Sequence, residues 1–159
     1  MRIYKPRTTG ASPLPILVHY HGAGFVAGDL DTHDSIARYY CAHANALVVA
    51  VDYRLAPEHR FPSAIEDAYA ALVWTAQNAD EIGGDTRRIA VTGDSAGGNI
   101  AAVTCLLAKE RGGPRIVLQA LAYPQVDLDL AVDTPSRLQF GGGEYFLSRR
   151  DLSVCDRCT

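Results

Sequence analysis

The chain is predicted to be an α/β protein built on a mostly parallel sheet flanked by helices. Three observations predict it. Four short apolar runs are rich in β-branched residues, helical patterns fall between them, and the runs are hydrophobic almost throughout rather than alternating. Continuous hydrophobicity marks strands covered on both faces, the usual condition of a parallel sheet. Strands alternating with helices indicate βαβ units.

In order, the predicted strands are Pro15–Tyr20 (PILVHY), Ala46–Asp52 (ALVVAVD), Arg88–Gly93 (RIAVTG) and Ile116–Tyr123 (IVLQALAY), with Arg2–Lys5 as a further edge strand. A first helix is expected over about Thr32 to His43, closed by Asn45 in a left-handed conformation. A second runs from Ser63 to Asn78. There Ile65, Ala68, Tyr69, Leu72, Val73 and Ala76 share a face, and Ser63 and Glu66 have the spacing of a capping box. A third follows Ser95, with Ile100, Val103 and Leu107 inward and Gly112-Gly113-Pro114 as its stop. After Pro124 the pattern loosens, and Gly141-Gly142-Gly143 interrupts it.

The 159 residues suit one domain with one core, at 48% hydrophobic and 21% charged. A net charge of −3 gives no basic footprint for nucleic acid. No apolar run is long enough to span a membrane, and the N-terminus lacks the apolar core of a signal peptide, so a cytoplasmic protein is expected. Cys41 and Cys105 fall in predicted helices as small hydrophobes. Cys155 and Cys158 form a terminal CxxC without two further ligands or a preceding strand, so they are read as incidental thiols; no metal is expected.

Two motifs carry chemistry. Gly93-Asp94-Ser95-Ala96-Gly97 fits G-x-S-x-G between a strand and a helix, the context in which a serine hydroxyl projects from a tight turn. Small flanking residues admit close backbone, and the helix N-terminus favours negative charge beside the serine. The look-alike protease string GDSGG is excluded by Ala96 and by the α/β surroundings. His21-Gly22-Ala23-Gly24-Phe25 directly follows the first long strand, where backbone amides can form part of an oxyanion hole. A phosphate-binding loop is not supported, because no lysine follows the glycines.

These strings, with HGAGFVAGDLDTH (His21–His33), DYRLAPEHRFPSAIEDAYAALVW (Asp52–Trp74), RIAVTGDSAGGNIAA (Arg88–Ala102) and YPQVD (Tyr123–Asp127), resemble the bacterial hormone-sensitive-lipase-like esterases of the α/β-hydrolase superfamily. The similarity runs from about Arg2 to Leu152. It implies a serine carboxylesterase working through an acyl-enzyme, without a cofactor, on a small-molecule ester of short to medium acyl chain. By position Ser95 corresponds to the nucleophile, and the amides of Ala23, Gly24 and Ala96 to the oxyanion hole. His21, Gly22, Gly93, Asp94 and Gly97 correspond to loop and elbow supports, with His21 ordering the loop rather than acting as base. Alanine replaces the usual glycine at Ala23; it keeps the amide but would be strained if φ is positive. Asp94 is expected to turn from the catalytic base toward the helix N-terminus or a neighbouring loop.

Tyr53, Arg54, Glu58, Glu66 and Asp67 resemble a structural polar network, and Phe25, Phe140, Tyr145 and Phe146 are candidates for an acyl pocket or for packing. In this family the order is serine, acid, histidine, yet His19, His21, His33, His43 and His59 all precede Ser95. Asp127 belongs to the YPQVD segment rather than to the triad. The chain is therefore expected to be one partial hydrolase domain over residues 1–159, lacking an N-terminal cap and the C-terminal acid and histidine loops. The alternative is a non-catalytic hydrolase-like fragment that binds ligand or pairs with another chain, its oligomeric state left open.

Overall fold

A computed structural model describes residues 1–7, 13–127, 129, 131–144, 147–148 and 150–153. Its strands are β1 (Arg2–Tyr4), β2 (Leu14–Tyr20), β3 (Leu47–Val51), β4 (Gly84–Asp94) and β5 (Leu118–Ala122). Its helices are α1 (Asp34–His43), α2 (Ser63–Gln77), α3 (Ala79–Ile82), α4 (Ala96–Glu110) and α5 (Pro135–Phe140). The strands form one sheet in the order β1-β3-β2-β4-β5. β1 is antiparallel to β3, and the other pairings are parallel.

Strand alternation divides the core between the two faces of the sheet. Ile16, Val18 and Tyr20 of β2 and Leu47, Val49 and Val51 of β3 pack with Leu72 of α2 and Ile100 of α4. Val48 and Ala50 point the other way, toward Ala37 and Cys41 of α1. This two-sided cover is why β3 is buried at every position and reads as an uninterrupted apolar run.

Local chemistry departs from the sequence reading in three places. Ser63 and Glu66 make no capping box: Pro62 is the N-cap of α2, with no side-chain cap bond. The Glu66 carboxylate instead takes two hydrogen bonds from Arg111, 2.8 and 3.0 Å long, tying α2 to the end of α4. The inward face of α2 uses Ala71 and Thr75 where Val73 was expected, because the Thr75 hydroxyl satisfies itself on the Ala71 carbonyl at 2.7 Å. The short helices α3 and α5 carry too few periodic positions to stand out. Asn45 does take the left-handed conformation, at φ 47°. Gly112 (φ 62°) ends α4, with the Gly113 amide donating back to the Ala108 carbonyl at 2.8 Å.

Among the described residues no strand pairs with the outer edge of β5, where Leu118 is 59% exposed. Among the described residues no helix is long and apolar enough to cross a membrane. The CxxC of Cys155 and Cys158 lies outside the described residues; Cys41 is buried and Cys105 half-buried, and burial pushes both thiols up.

Leu72 is fully buried between α2 and the sheet, whereas Leu106 is 66% exposed on α4. Urea denaturation should show Leu72→Ala costing about 2–5 kcal/mol and Leu106→Ala changing stability by no more than about 0.5 kcal/mol.

Candidate active site

From β2 the chain crosses through α1 to β3 on one side, then through α2 to β4 on the other. The carboxyl ends of β2 and β4 therefore lie side by side where the crossover direction reverses, the position at which open α/β sheets form binding crevices. Tyr20 is in register with Gly93. The HGAG loop leaves β2 and the Ser95 turn leaves β4, so the register alone makes these distant segments neighbours.

Ser95 is held at φ 51°, ψ −118° between β4 and α4. A non-glycine residue at positive φ stores strain of about 1–3 kcal/mol, which the surrounding backbone must hold. A side chain at Gly97 would overlap the carbonyl oxygens of Tyr20 and His21, and one at Gly93 would overlap the Gly97 carbonyl. Only bare backbone lets the first turn of α4 seat against the end of β2.

The Ser95 amide donates to the Ala122 carbonyl at 2.9 Å. The Ser95 carbonyl accepts from the amides of Asn99 and Gln125, and the Asn99 side chain donates to the Gln125 carbonyl at 2.7 Å. The YPQVD segment thus straps the turn down, a role for Asn99 and Gln125 that no sequence spacing announces. Because Asn99 is the first residue of α4 to bond back to Ser95, the amides of Ala96, Gly97 and Gly98 lack intrahelical acceptors.

The loop after β2 is equally constrained. Ala23, Gly24 and Phe25 all have positive φ, at 86°, 67° and 66°. The strain foreseen for Ala23 is therefore present. Phe25 is buried in the core, and its carbonyl accepts from Ala56 at 3.0 Å. His21 is also buried: its Nδ1 contacts the Gly22 carbonyl at 2.8 Å, its carbonyl accepts from the Tyr53 hydroxyl at 2.7 Å, and its ring stacks on Tyr53. Burial lowers its pKa.

Asp94 turns toward this loop; a Cβ on Gly22 would lie 2.9 Å from the Asp94 carbonyl oxygen and 3.1 Å from its Cγ. The expected polar network resolves into separate pieces. Tyr53 serves His21, Arg54 grips Asp67 through two bonds of 2.8 Å, and Glu66 serves Arg111, while Glu58 is exposed and joins none of them. Of the four aromatic candidates, Phe25 is core, Phe140 is 43% exposed on α5, and Tyr145 and Phe146 lie outside the described residues.

Among the described residues no histidine is hydrogen-bonded to the Ser95 hydroxyl, and no group of three or more His, Cys, Asp or Glu side chains is arranged to hold a metal ion. Asp127 lies 3.8 Å from the Arg137 guanidinium. A cavity of about 550 Å³ sits between the end of α4 and the start of β5, lined by Cys105, Ala108 and Ile116 among others. None of its lining residues belongs to the HGAG loop or the Ser95 turn.

Residues 17–158 match the model of a family described as alpha/beta hydrolase fold. The chain belongs to that family. The motifs that resemble the hormone-sensitive-lipase-like branch are thus carried on the fold they require. It is 53% identical over 157 residues to a carboxylesterase, NlhH, of Mycobacterium tuberculosis, a match covering 99% of this chain and 46% of that protein. It is 40% identical to an arylesterase of Saccharolobus solfataricus, covering 92% of this chain and 46% of the relative. A hyperthermophilic esterase from Pyrobaculum calidifontis superposes with a TM-score of 0.92 at 46% identity, covering 98% of this chain and 50% of that one. The α/β-hydrolase chain therefore spans about half the length of the relatives it matches.

Two measurements probe this geometry. Ala23→Gly relieves a left-handed alanine and should raise stability by about 1 kcal/mol in thermal unfolding. The second concerns His19, buried on β2, whose pKa is lowered from 6.5 to about 4 by burial first, then by His33 and His21. Between those values the unfolded chain binds the proton more readily, so stability is fully present above about pH 6.5 and falls as the pH drops toward 4. The loss attributable to His19 is about 3 kcal/mol, and His21 adds to it with the same sign. Asp34 and Asp67, held low by Arg38 and Arg54, titrate below this window. Urea midpoints measured across it should fall with acid in the native chain and fall less in His19→Phe.

Proposed function

We propose that this chain carries the nucleophile and oxyanion machinery of a carboxylic ester hydrolase, with Ser95 as nucleophile. The observation that carries the reading is the strained Ser95 turn at the N-terminus of α4, next to a loop whose residues Ala23 to Phe25 all have positive φ. Esterase names among relatives of this fold support it.

In this reading the Ser95 Oγ attacks the ester carbonyl carbon, and the carbonyl oxygen becomes an oxyanion facing the amides of Ala23, Gly24 and Ala96. Losing one such donor typically costs about 3 kcal/mol of transition-state stabilisation. Collapse of the intermediate expels the alcohol and leaves an acyl-Ser95, which water hydrolyses. His21, Gly22, Gly93, Asp94 and Gly97 hold the loop and the turn in place. Ser95 needs a proton acceptor, and no histidine follows it in these 159 residues. Solvent or an added base takes that part for this chain alone. The substrate is a small ester of short to medium acyl chain, met in the cytoplasm.

A fluorophosphonate probe should label the folded chain at Ser95, with labelling abolished in Ser95→Ala and accelerated by imidazole in the buffer. Absence of labelling in a chain shown to be folded would sink the reading. The second reading, pairing with another chain, is favoured by the uncovered β5 edge. A monomer in size-exclusion chromatography at micromolar concentration counts against it.

A further inference from the structure

His19 is 1% exposed, and its Nε2 has no hydrogen-bond partner among the described residues. The Oδ1 of Asp94 is likewise buried and unpartnered. These two atoms face each other at 4.0 Å. A buried polar atom left unpaired costs about 1–3 kcal/mol, so two such atoms in opposition identify a pairing that lacks only a small approach. Because burial keeps the imidazole uncharged at neutral pH, the contact is not an ion pair.

The topology explains why the two meet. His19 is in register with Thr92 on the neighbouring strand, and side chains two apart on a strand share a face, which puts Asp94 on the face of His19. The His19 ring cannot swing far, because Tyr40 packs edge-on at 5.8 Å and His33 lies at 6.4 Å. The rest of the Asp94 residue lies under Gly22, and the next residue is Ser95. Asp94 therefore touches both halves of the site, and His19 stands two residues before the loop it would brace.

We propose that His19 and Asp94 form a positioning pair in which the Nε2–H of His19 donates to Oδ1 of Asp94, and that this bond sets the spacing between the Ser95 turn and the HGAG loop. A closure of about 1 Å brings the pair into hydrogen-bond range, a tightening that catalytic sites commonly undergo on engaging their ligand. Neither residue touches the reacting atoms. The pair acts through the amides of Ala23, Gly24 and Ala96, and its catalytic consequence rests on the esterase reading above.

The test uses the full chain, a fluorophosphonate probe and ¹⁵N NMR. In the native chain His19 should be the neutral Nε2–H tautomer; an Nδ1–H tautomer overturns the proposal without any variant being made. His19→Phe keeps the ring but cannot donate, and should shift the Ala23 and Gly24 amide resonances and slow Ser95 labelling by about tenfold or more. His19→Gln places a donor near the same point and should recover most of that rate. If His19→Phe labels as fast as the native chain and leaves the loop amides unmoved, the proposal fails. Equal losses in His19→Phe and His19→Gln also overturn it, since packing alone then explains them. If the native chain does not label, but His19→Phe moves the loop amides and His19→Gln returns them to their native positions, the pair stands and the esterase reading falls.

Discussion

The carbonyl oxygens of Tyr20 and His21 occupy the space that a side chain at Gly97 would need. That contact presses the first turn of α4 against the end of β2, and the other features of the site depend on it. It fixes Ser95 relative to the loop that follows β2, and it turns the Tyr20–Gly93 register into a functional distance. Moving α4 out by the width of a methyl group would separate the amides of the helix N-terminus from those of the loop. The hydrophobic core beneath, with Ile100 and Ala101 against Val18 and Val91, supplies the force that keeps the backbones this close.

Around that contact the chain concentrates unfavourable conformations. Ser95, Ala23 and Phe25 all sit at positive φ without being glycine, an arrangement that persists only where neighbouring structure over-determines it. Each has its restraint. Ser95 is bound on both sides of its peptide, to Ala122 and to Gln125 and Asn99. Phe25 is locked by burial and by Ala56, and the loop as a whole by the His21–Tyr53 stack. Ala23 is restrained least, its carbonyl receiving only longer bonds from Val26 and Ala27 at 3.4 and 3.2 Å. The strain therefore falls on Ala23, whose amide the proposed chemistry uses, and on Ser95 and Phe25, which adjoin the other two amides at Ala96 and Gly24.

What the sequence made legible follows from how far each signal travels along the chain. The strands were readable because burial on both faces leaves no polar position in a run such as LVVAV. The serine turn and the HGAG loop were readable because each is a local string whose residues must be small or flexible. The Ser63–Glu66 spacing misled, because a capping box competes with any stronger partner for the glutamate, and Arg111 arrives from a helix far along the chain. The facing of His19 and Asp94 was illegible for the same reason: it arises from strand register between β2 and β4, which no single segment encodes. Asn99 and Gln125 were hidden likewise, since they act through a strap closed only when β5 pairs with β4.

Register also governs where the sheet stops being self-sufficient. β4 is buried along its second half because β2 and β5 flank it, whereas β5 has β4 on one side and an exposed edge on the other. Yet the β5 backbone is what receives the Ser95 amide and the Thr92 hydroxyl, through the carbonyls of Ala122 and Ala120. The restraint on the Ser95 turn thus passes through the least protected strand of the sheet. Edge strands open more readily than central ones, so an added strand or ligand pairing with β5 would stiffen Ser95 as well. The geometry of the serine is coupled in this way to the state of the edge, although its immediate contacts are all in place.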